Sequence, residues 1–352
     1  MSNLYLHPVQ FVDAPMAYPD GAVARLAGGL QWFAAYEVVD GTSRRIVPVA
    51  EIDMAGERAA LLHARITAPR PALVLGERTL RFDQPLVAGI LNVTPDSFSD
   101  GGAHADDPAG AAAAGIDMLA AGAALVDLGA ESTRPGAALV WEGDEIARAL
   151  PVVERLVAAG ALVSIDTRKG AVMEAALGAG AAIVNDVSAL LWDDRAAGIV
   201  AQAGCPVILM HSPDPERGGH GCVAYPDVVG AVFAWLEGRI EAAVAAGIDR
   251  ARIIVDPGIG FGKSLADNLA LLNGLTALHG LGCPIMLGAS RKRLIGALSN
   301  EAPATARLGG SVALAVRAAE QGVQMLRVHD VAETVQALRV WRGLRDRALV
   351  GH

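Results

Sequence analysis

Charge is scarce in this sequence, and aromatic residues are scarcer. Asp, Glu, Lys and Arg make up 19% of the 352 residues, and Phe, Trp and Tyr only 4%. The charge that is present sums to -9, and no Lys/Arg cluster forms the stripe that neutralises a phosphate backbone. Nucleic acid is therefore not an expected partner, and any anion must be held by locally placed groups. Cysteines number three, Cys205, Cys222 and Cys283, at spacings that match no zinc or redox motif. Cys205 and Cys283 each precede Pro and an apolar run, which reads as buried thiols at strand entries. No uninterrupted apolar run reaches membrane-spanning length. Met1-Ser-Asn-Leu lacks the basic start and apolar core of a secretory signal, so the expectation is a cytoplasmic protein without a membrane partner.

Apolar residues, by contrast, reach 53%, and glycine alone accounts for 40 positions. Such a balance suits central strands covered on both faces, with small residues letting helices pack close to the sheet. Two regions differ in pattern. Residues 1–84 predict strands over 46–52 and 72–82 and a short helix over 56–68, and Gly76-Glu-Arg can turn the second run into a hairpin. They carry no catalytic constellation and read as an N-terminal extension or small accessory domain.

From Pro85 onward, strand-length apolar runs alternate with alanine-rich helical stretches. Strands are expected over 86–91, 124–128, 162–165, 181–184, 206–210, 252–255, 284–287 and 324–328. Helices are expected over 109–121, 142–159, 170–179, 193–203, 228–246, 265–279, 292–298, 305–321 and 331–341. This is the size and count of an α/β protein with a (β/α)8 TIM barrel over 85–345, followed by a tail over 346–352. An open doubly wound sheet is the competing arrangement. The missing dinucleotide fingerprint, and the removal of exposed edges on closure, favour the barrel.

Polar residues collect after the predicted strands. The ends offer Asn92 and Asp96; Asp127 and Glu131 to Arg134; Asp166 to Arg168; Asn185 and Asp186; His211 and Ser212; Asp256; Ser290 to Lys292; and Arg327, His329 and Asp330. In a barrel these converge on one mouth, the end where such folds place their chemistry. Asp166, Asn185 and Asp256 could grip a planar nitrogen heterocycle, because carboxylates accept from N–H groups and an amide both donates and accepts. Loop capping and a metal cluster are the other uses of such residues. Arg134 and Arg327 with His329 could bind an anion, assisted by Asn92. The ammonium of Lys292 could reach the heterocycle. Gly258-Ile-Gly-Phe-Gly-Lys-Ser264 resembles a nucleotide-phosphate loop, but Pro257 stands where its first glycine is required. Lys263 then reads as a surface or loop-support residue.

These segments together resemble dihydropteroate synthase, a pterin-binding TIM-barrel family. The resemblance rests on Gly89-Ile-Leu-Asn-Val-Thr-Pro-Asp-Ser-Phe-Ser-Asp-Gly-Gly102 and Gly129-Ala-Glu-Ser-Thr-Arg-Pro-Gly136 above all. Ser164-Ile-Asp-Thr167, Ile183-Val-Asn-Asp-Val-Ser188, Asp256-Pro-Gly-Ile-Gly-Phe-Gly262, Gly288-Ala-Ser-Arg-Lys292 and Arg327-Val-His-Asp330 follow in order. The resemblance implies an alkyl- or aryl-transferring enzyme of folate biosynthesis. It would join 6-hydroxymethyl-7,8-dihydropterin diphosphate to 4-aminobenzoate, giving 7,8-dihydropteroate and diphosphate. It also implies Mg2+ and a homodimer. By the same resemblance, Asp166, Asn185, Met210, Asp256, Gly288 and Lys292 would bind the pterin. Asn92, Arg134, Arg327 and His329 would hold the diphosphate, with Asn92 also touching the metal. Phe98, Thr133, Pro135 and Ser290 would surround the aminobenzoate. Catalysis would fall to Asp166, Lys292, Arg327, His329 and Asp96.

Two departures stand out. The family usually continues Met-His-Met-Gln-Gly after the fifth strand, where this chain has Met210-His-Ser-Pro-Asp-Pro. The third strand ends Asp166-Thr-Arg-Lys169, where Ser or Tyr frequently replaces the arginine. Two alternatives use the same scaffold: a pterin-dependent methyltransferase and a pterin-binding protein without turnover. Thr133-Arg134-Pro135 and Arg327-Val-His329 argue against the first; the retention of Asn92, Arg134, Lys292 and Arg327 argues against the second.

Overall fold

A computed structural model describes residues 4–94, 107–132, 139–213 and 223–350. All eight runs predicted in the second region form strands: β7 (Leu86–Asn92), β8 (Leu125–Gly129), β9 (Val163–Asp166), β10 (Ile183–Asp186), β11 (Val207–Met210), β12 (Ile253–Asp256), β13 (Met286–Leu287) and β14 (Met325–Val328). They lie parallel in the order β12-β11-β10-β9-β8-β7-β14-β13. A parallel bridge between Val255 and Ile285 joins β12 to β13, with Val255 N–H donating to Pro284 O at 2.9 Å, so the sheet closes on itself. This is a (β/α)8 barrel, not the open sheet that competed with it.

Helices follow the strands: α2 (Pro108–Ala120), α3 (Glu142–Ala158), α4 (Gly170–Gly178), α5 (Ala196–Ala203), α6 (Val228–Ala245), α7 (Leu265–Asn273), α8 (Arg293–Leu298), α9 (Leu308–Glu320) and α10 (Val331–Val350). Local chemistry fixes several of their starts. Asp107 and Asp227 cap α2 and α6 by accepting from Gly110 N and Gly230 N at 2.9 and 3.1 Å. Ser264 and Asp267 form a reciprocal capping box on α7. Helix α10 runs to Val350, past its expected end at 341 and through most of the expected tail, with Trp341 and Arg345 buried along it. Cys205 and Cys283 are buried free thiols at the entries to their strands, and Cys222 lies outside the described residues.

The N-terminal residues hold more structure than their sequence suggests. β1 (Tyr5–Val12), β2 (Ala24–Arg25), β3 (Trp32–Asp40) and β4 (Ser43–Pro48) form an antiparallel sheet, and α1 (Glu57–Thr67) follows. The strand expected over 46–52 ends at Pro48, where the chain enters a 3-10 turn over Val49–Ala55. The run expected over 72–82 is the hairpin that Gly76 permits: β5 (Leu73–Leu75) pairs with β6 (Arg78–Leu80) across Gly76 at φ +60°. Leu73, Leu80 and Phe82 pack with Ala88, Leu125, Leu162, Ile183, Ile208, Ile254, Met286 and Met325, so the hairpin joins the barrel's interior core. The sheet and α1 pack along α6 and the turn over Leu275–Leu281. The Tyr5 ring lies 6.3 Å from that of Phe233, Tyr5 Oη donates to Asp227 at 3.1 Å, and Arg58 and Arg65 both bond Glu237.

Candidate active site

At the strand C-terminal ends, the structure brings together most of the expected polar residues. Arg327 on β14 is the hub. Its Nε donates to Asp127 Oδ2 on β8 at 2.5 Å, and its Nη2 to Asp166 Oδ2 on β9 at 2.6 Å. Asn185 on β10 donates Nδ2 to the same Asp127, at 3.1 and 3.3 Å from its two oxygens. Asn92 reaches the group from β7. Its Oδ1 would lie 3.4 Å from a Cβ placed on Gly129, and Asp166 Oδ2 3.7 Å from the same point. A side chain at Gly129 would crowd both.

On the opposite side of the ring, Asp256 uses Oδ1 to accept from Gly258 N at 2.7 Å. Its Oδ2 faces the gap beside Gly288, where an added Cβ would lie 3.7 Å from Oδ2 and 3.8 Å from Arg327 Cδ. Glycine at 288 thus keeps open the space between Asp256 and Arg327. Met210 is buried and pairs in register with Asp256. Lys292 follows the β13 turn, with its ammonium donating to Ile259 O and lying 4.8 Å from the Phe261 ring centre.

Electrostatics follow from burial. Burial pushes the Asp166 carboxyl up to about 7, against the pull of Arg327. Burial also raises Asp256, opposed by Lys292. It lowers Lys292 to about 8, against the attraction of Asp256. Arg327 stays charged: burial opposes its charge, but Asp127 and Asp166 hold its pKa above the ordinary guanidinium value. One oxygen is left over. Asp166 Oδ1 is buried and accepts no hydrogen bond. A buried carboxylate oxygen without a donor is costly unless a ligand supplies one.

Ser290 and His329 sit together, with Ser290 Oγ accepting from His329 N at 3.2 Å and lying 3.1 Å from its Nδ1. The turn that presents Ser290 and Lys292 is held at Arg291, which has a left-handed φ of +56°. Ser311 Oγ accepts from Arg291 N at 2.9 Å, Arg307 donates to its carbonyl at 2.8 Å, and Asp330 pairs with its guanidinium.

Other strand-end residues serve the scaffold. Asp186 accepts from Ser188 N, Ser188 Oγ and Leu190 N at 2.7, 2.7 and 2.8 Å, which caps its own loop. Lys263 is buried, not a surface residue, and supports the glycine loop by donating to Gly258 O and Phe261 O at 2.8 and 3.1 Å. That loop requires glycine at 258, where φ is +66° and an added Cβ would lie 2.0 Å from His211 O. Arg168 lies 3.8 Å from the Trp192 ring centre and donates to Glu131 at 3.1 Å.

Asp96, Phe98, Thr133, Arg134 and Pro135 lie outside the described residues. The remaining expected site residues are all placed at the strand C-terminal ends or the turns that follow them. Sequence reading assigned no partner to Asp127 and overlooked Glu145. Asp127 carried a signal: it is an acid inside the apolar run Ala124-Leu-Val-Asp-Leu128, which demands buried partners. Glu145 carried none, because an acid near a helix start reads as solvated.

Comparisons with known proteins agree with this geometry. A family model described as a pterin binding enzyme matches residues 88–329. Dihydropteroate synthase of Neisseria meningitidis serogroup B is 42% identical over 273 residues, covering 76% of this chain and 96% of that protein. A Xanthomonas albilineans dihydropteroate synthase solved with 4-aminobenzoic acid is 48% identical with a TM-score of 0.74, covering 79% of this chain and 99% of the other. The same enzyme in complex with 7,8-dihydropteroate is 46% identical with a TM-score of 0.71, again over 79% of this chain and 100% of the other. Fold, site and likeness agree, and the chain belongs to the dihydropteroate synthase family of pterin-binding enzymes.

Proposed function

We propose that this protein condenses 6-hydroxymethyl-7,8-dihydropterin diphosphate with 4-aminobenzoate, releasing diphosphate and forming 7,8-dihydropteroate. The observation that carries the reading is the acceptor-rich pocket at the mouth. Asp166 Oδ1 has no donor of its own, Asp256 Oδ2 faces the space kept by Gly288, and Asn185 stands between them in the ring order. A pterin edge presents amino and ring N–H groups that satisfy these oxygens. Lys292, beside the same pocket, can donate to the ring carbonyl.

The reaction needs no enzyme nucleophile. As the bond to diphosphate lengthens, positive charge grows on the pterin and its methylene carbon. Asp166, ionised and within the ring of strand ends, stabilises that charge. Negative charge grows on the departing diphosphate, and Arg327, with Nη1 unused by Asp127 and Asp166, would take up that charge. The arylamine nitrogen attacks the carbon as the bond to diphosphate breaks, and then loses its proton to water or the released diphosphate. Ser290, against His329, supports the reading of an aminobenzoate site near the anion. Arg134, with Thr133, Pro135, Phe98 and Asp96, would complete the proposed site.

Mg2+ is part of this proposal. It takes oxygen ligands and usually keeps waters and substrate phosphates in its shell. The Asn92 amide oxygen suits it. Among the described residues no three His, Cys, Asp or Glu side chains converge as a cage; diphosphate and water would supply ligands beside Asn92. The ion would neutralise leaving-group charge. A homodimer is proposed on the family resemblance alone. Among the described residues no helix is long and apolar enough to cross a membrane.

The direct test supplies pterin diphosphate, 4-aminobenzoate and Mg2+ and follows dihydropteroate and diphosphate together. Equal amounts of both products are expected. Retained pterin binding without either product would leave a binding protein in place of the enzyme.

A further inference from the structure

Asp127 is a deeply buried acid of the site, 1% exposed on a strand whose every residue is buried. A carboxylate there is costly unless donors surround it. Among the described residues its side-chain donors are Arg327 through Nε and Asn185 through Nδ2. The second contact has a chemical consequence. A side-chain amide has a donor end and an acceptor end, and near a ligand it can turn over. With both Asp127 oxygens 3.1 and 3.3 Å from Nδ2, turning over would place Asn185 Oδ1 against a carboxylate. Lone pair would meet lone pair.

We propose that Asp127 is a positioning residue for recognition of the heterocycle: it locks the Asn185 amide in one orientation and anchors Arg327 in the same act. The inference rests on the pterin reading above and deepens it. Locked, Asn185 offers the ligand one N–H and its Oδ1, in an order that cannot invert. The 2-amino-pyrimidine edge of a pterin presents an amino donor beside a ring-nitrogen acceptor, which pairs with that order. The 2-oxo analogue, a lumazine, presents a carbonyl acceptor beside a ring N–H, which is the reverse. Only an amide free to turn over can serve both.

The test measures binding of 6-hydroxymethylpterin and 6-hydroxymethyllumazine by calorimetry to the full-length protein and to Asp127→Asn. Neither ligand carries phosphate, so the anion site does not mask the effect. In the variant the carboxylate becomes an amide that pairs with Asn185 in either orientation. The preference for pterin over lumazine should shrink about tenfold, with pterin binding weakened and lumazine binding weakened less or improved. In an Asn185→Ala background the same Asp127 substitution should leave the preference within about twofold, because the group it acts through is gone. An unchanged ratio in Asp127→Asn, or equal loss of both ligands, overturns the proposal and leaves Asp127 as a counter-charge for Arg327. Asp127→Ser provides a second neutral variant should Asp127→Asn not fold. Failure of both to fold, while Asn185→Ala folds, also overturns it. A wild-type protein that binds no pterin removes the functional reading itself, an outcome separate from an unchanged ratio in the variant.

Discussion

Asp166 sits between two demands. Burial favours its neutral form and pushes it up to about 7, while Arg327 at 2.6 Å favours the ionised form. The proposed chemistry needs the carboxylate. Protonation on the acid side therefore removes the charge that stabilises the developing cation, and kcat/KM should fall about tenfold per pH unit below about 7. A pH profile of Asp166→Asn checks the assignment: activity drops throughout, and the acid limb disappears. An acid limb that persists unchanged in the variant belongs to another group. Arg327 needs a gentler probe than deletion, because removing it strands Asp127 and Asp166 together. Arg327→Lys keeps the charge and loses the planar fork. KM for the pterin diphosphate should rise at least about tenfold, while the Kd of a phosphate-free pterin moves much less. Equal loss of both would make Arg327 a scaffold residue.

At the scale of elements, the clearest feature is the ion cluster that joins β8, β9 and α3. Lys169 donates to Glu145 at 2.6 Å and to Val140 O at 2.7 Å and pairs with Glu131 at 3.0 Å, while Glu131 accepts from Val140 N at 3.1 Å. Helix α3, the ends of β8 and β9, and the chain entering α3 are joined at one point. Lys169→Met leaves Glu145, whose side chain is fully buried, without its cation. Urea denaturation should register a loss of about 3–5 kcal/mol, whereas replacing lysine and glutamate together by apolar residues should cost less. A single variant within about 0.5 kcal/mol of wild type would mean the cluster is solvated. This cluster also marks where sequence reading stops. The eight barrel strands were legible because each is a short, mostly apolar run with polar residues within three positions of its end. The mouth was legible because Asn92, Asp166, Asn185, Asp256 and Arg327 each stand at such a transition. β1 and β3 were not, since their burial comes from pairing with each other, a contact between residues 5–12 and 32–39 that no local period announces. Glu145 was hidden for the same reason: its partners are more than twenty positions away in the chain.

The whole molecule ties its two ends together. Arg345 on α10 donates to Asp13 at 2.5 Å and to Leu30 O at 2.9 Å, and Thr276 Oγ1 donates to Pro8 O at 3.2 Å. The N-terminal sheet therefore braces the flank of the barrel. Removing residues 1–70 should lower the calorimetric Tm by at least about 5 °C and leave both KM values within about threefold. A truncated protein with an unchanged Tm would show the brace to be idle. The barrel also has a seam. β12 and β13 meet at one bridge, while β7 and β8 share five register pairs. A ring closed by one bridge opens there first, so the Val255 amide should exchange its hydrogen fastest among the buried strand amides. Asp256 stands on one side of that seam, and Gly288 and Lys292 on the other. A pterin held by both sides is a rivet across the joint: it should slow exchange at Val255 more than at β8, and the substrate becomes, while bound, a ninth part of the wall that holds it.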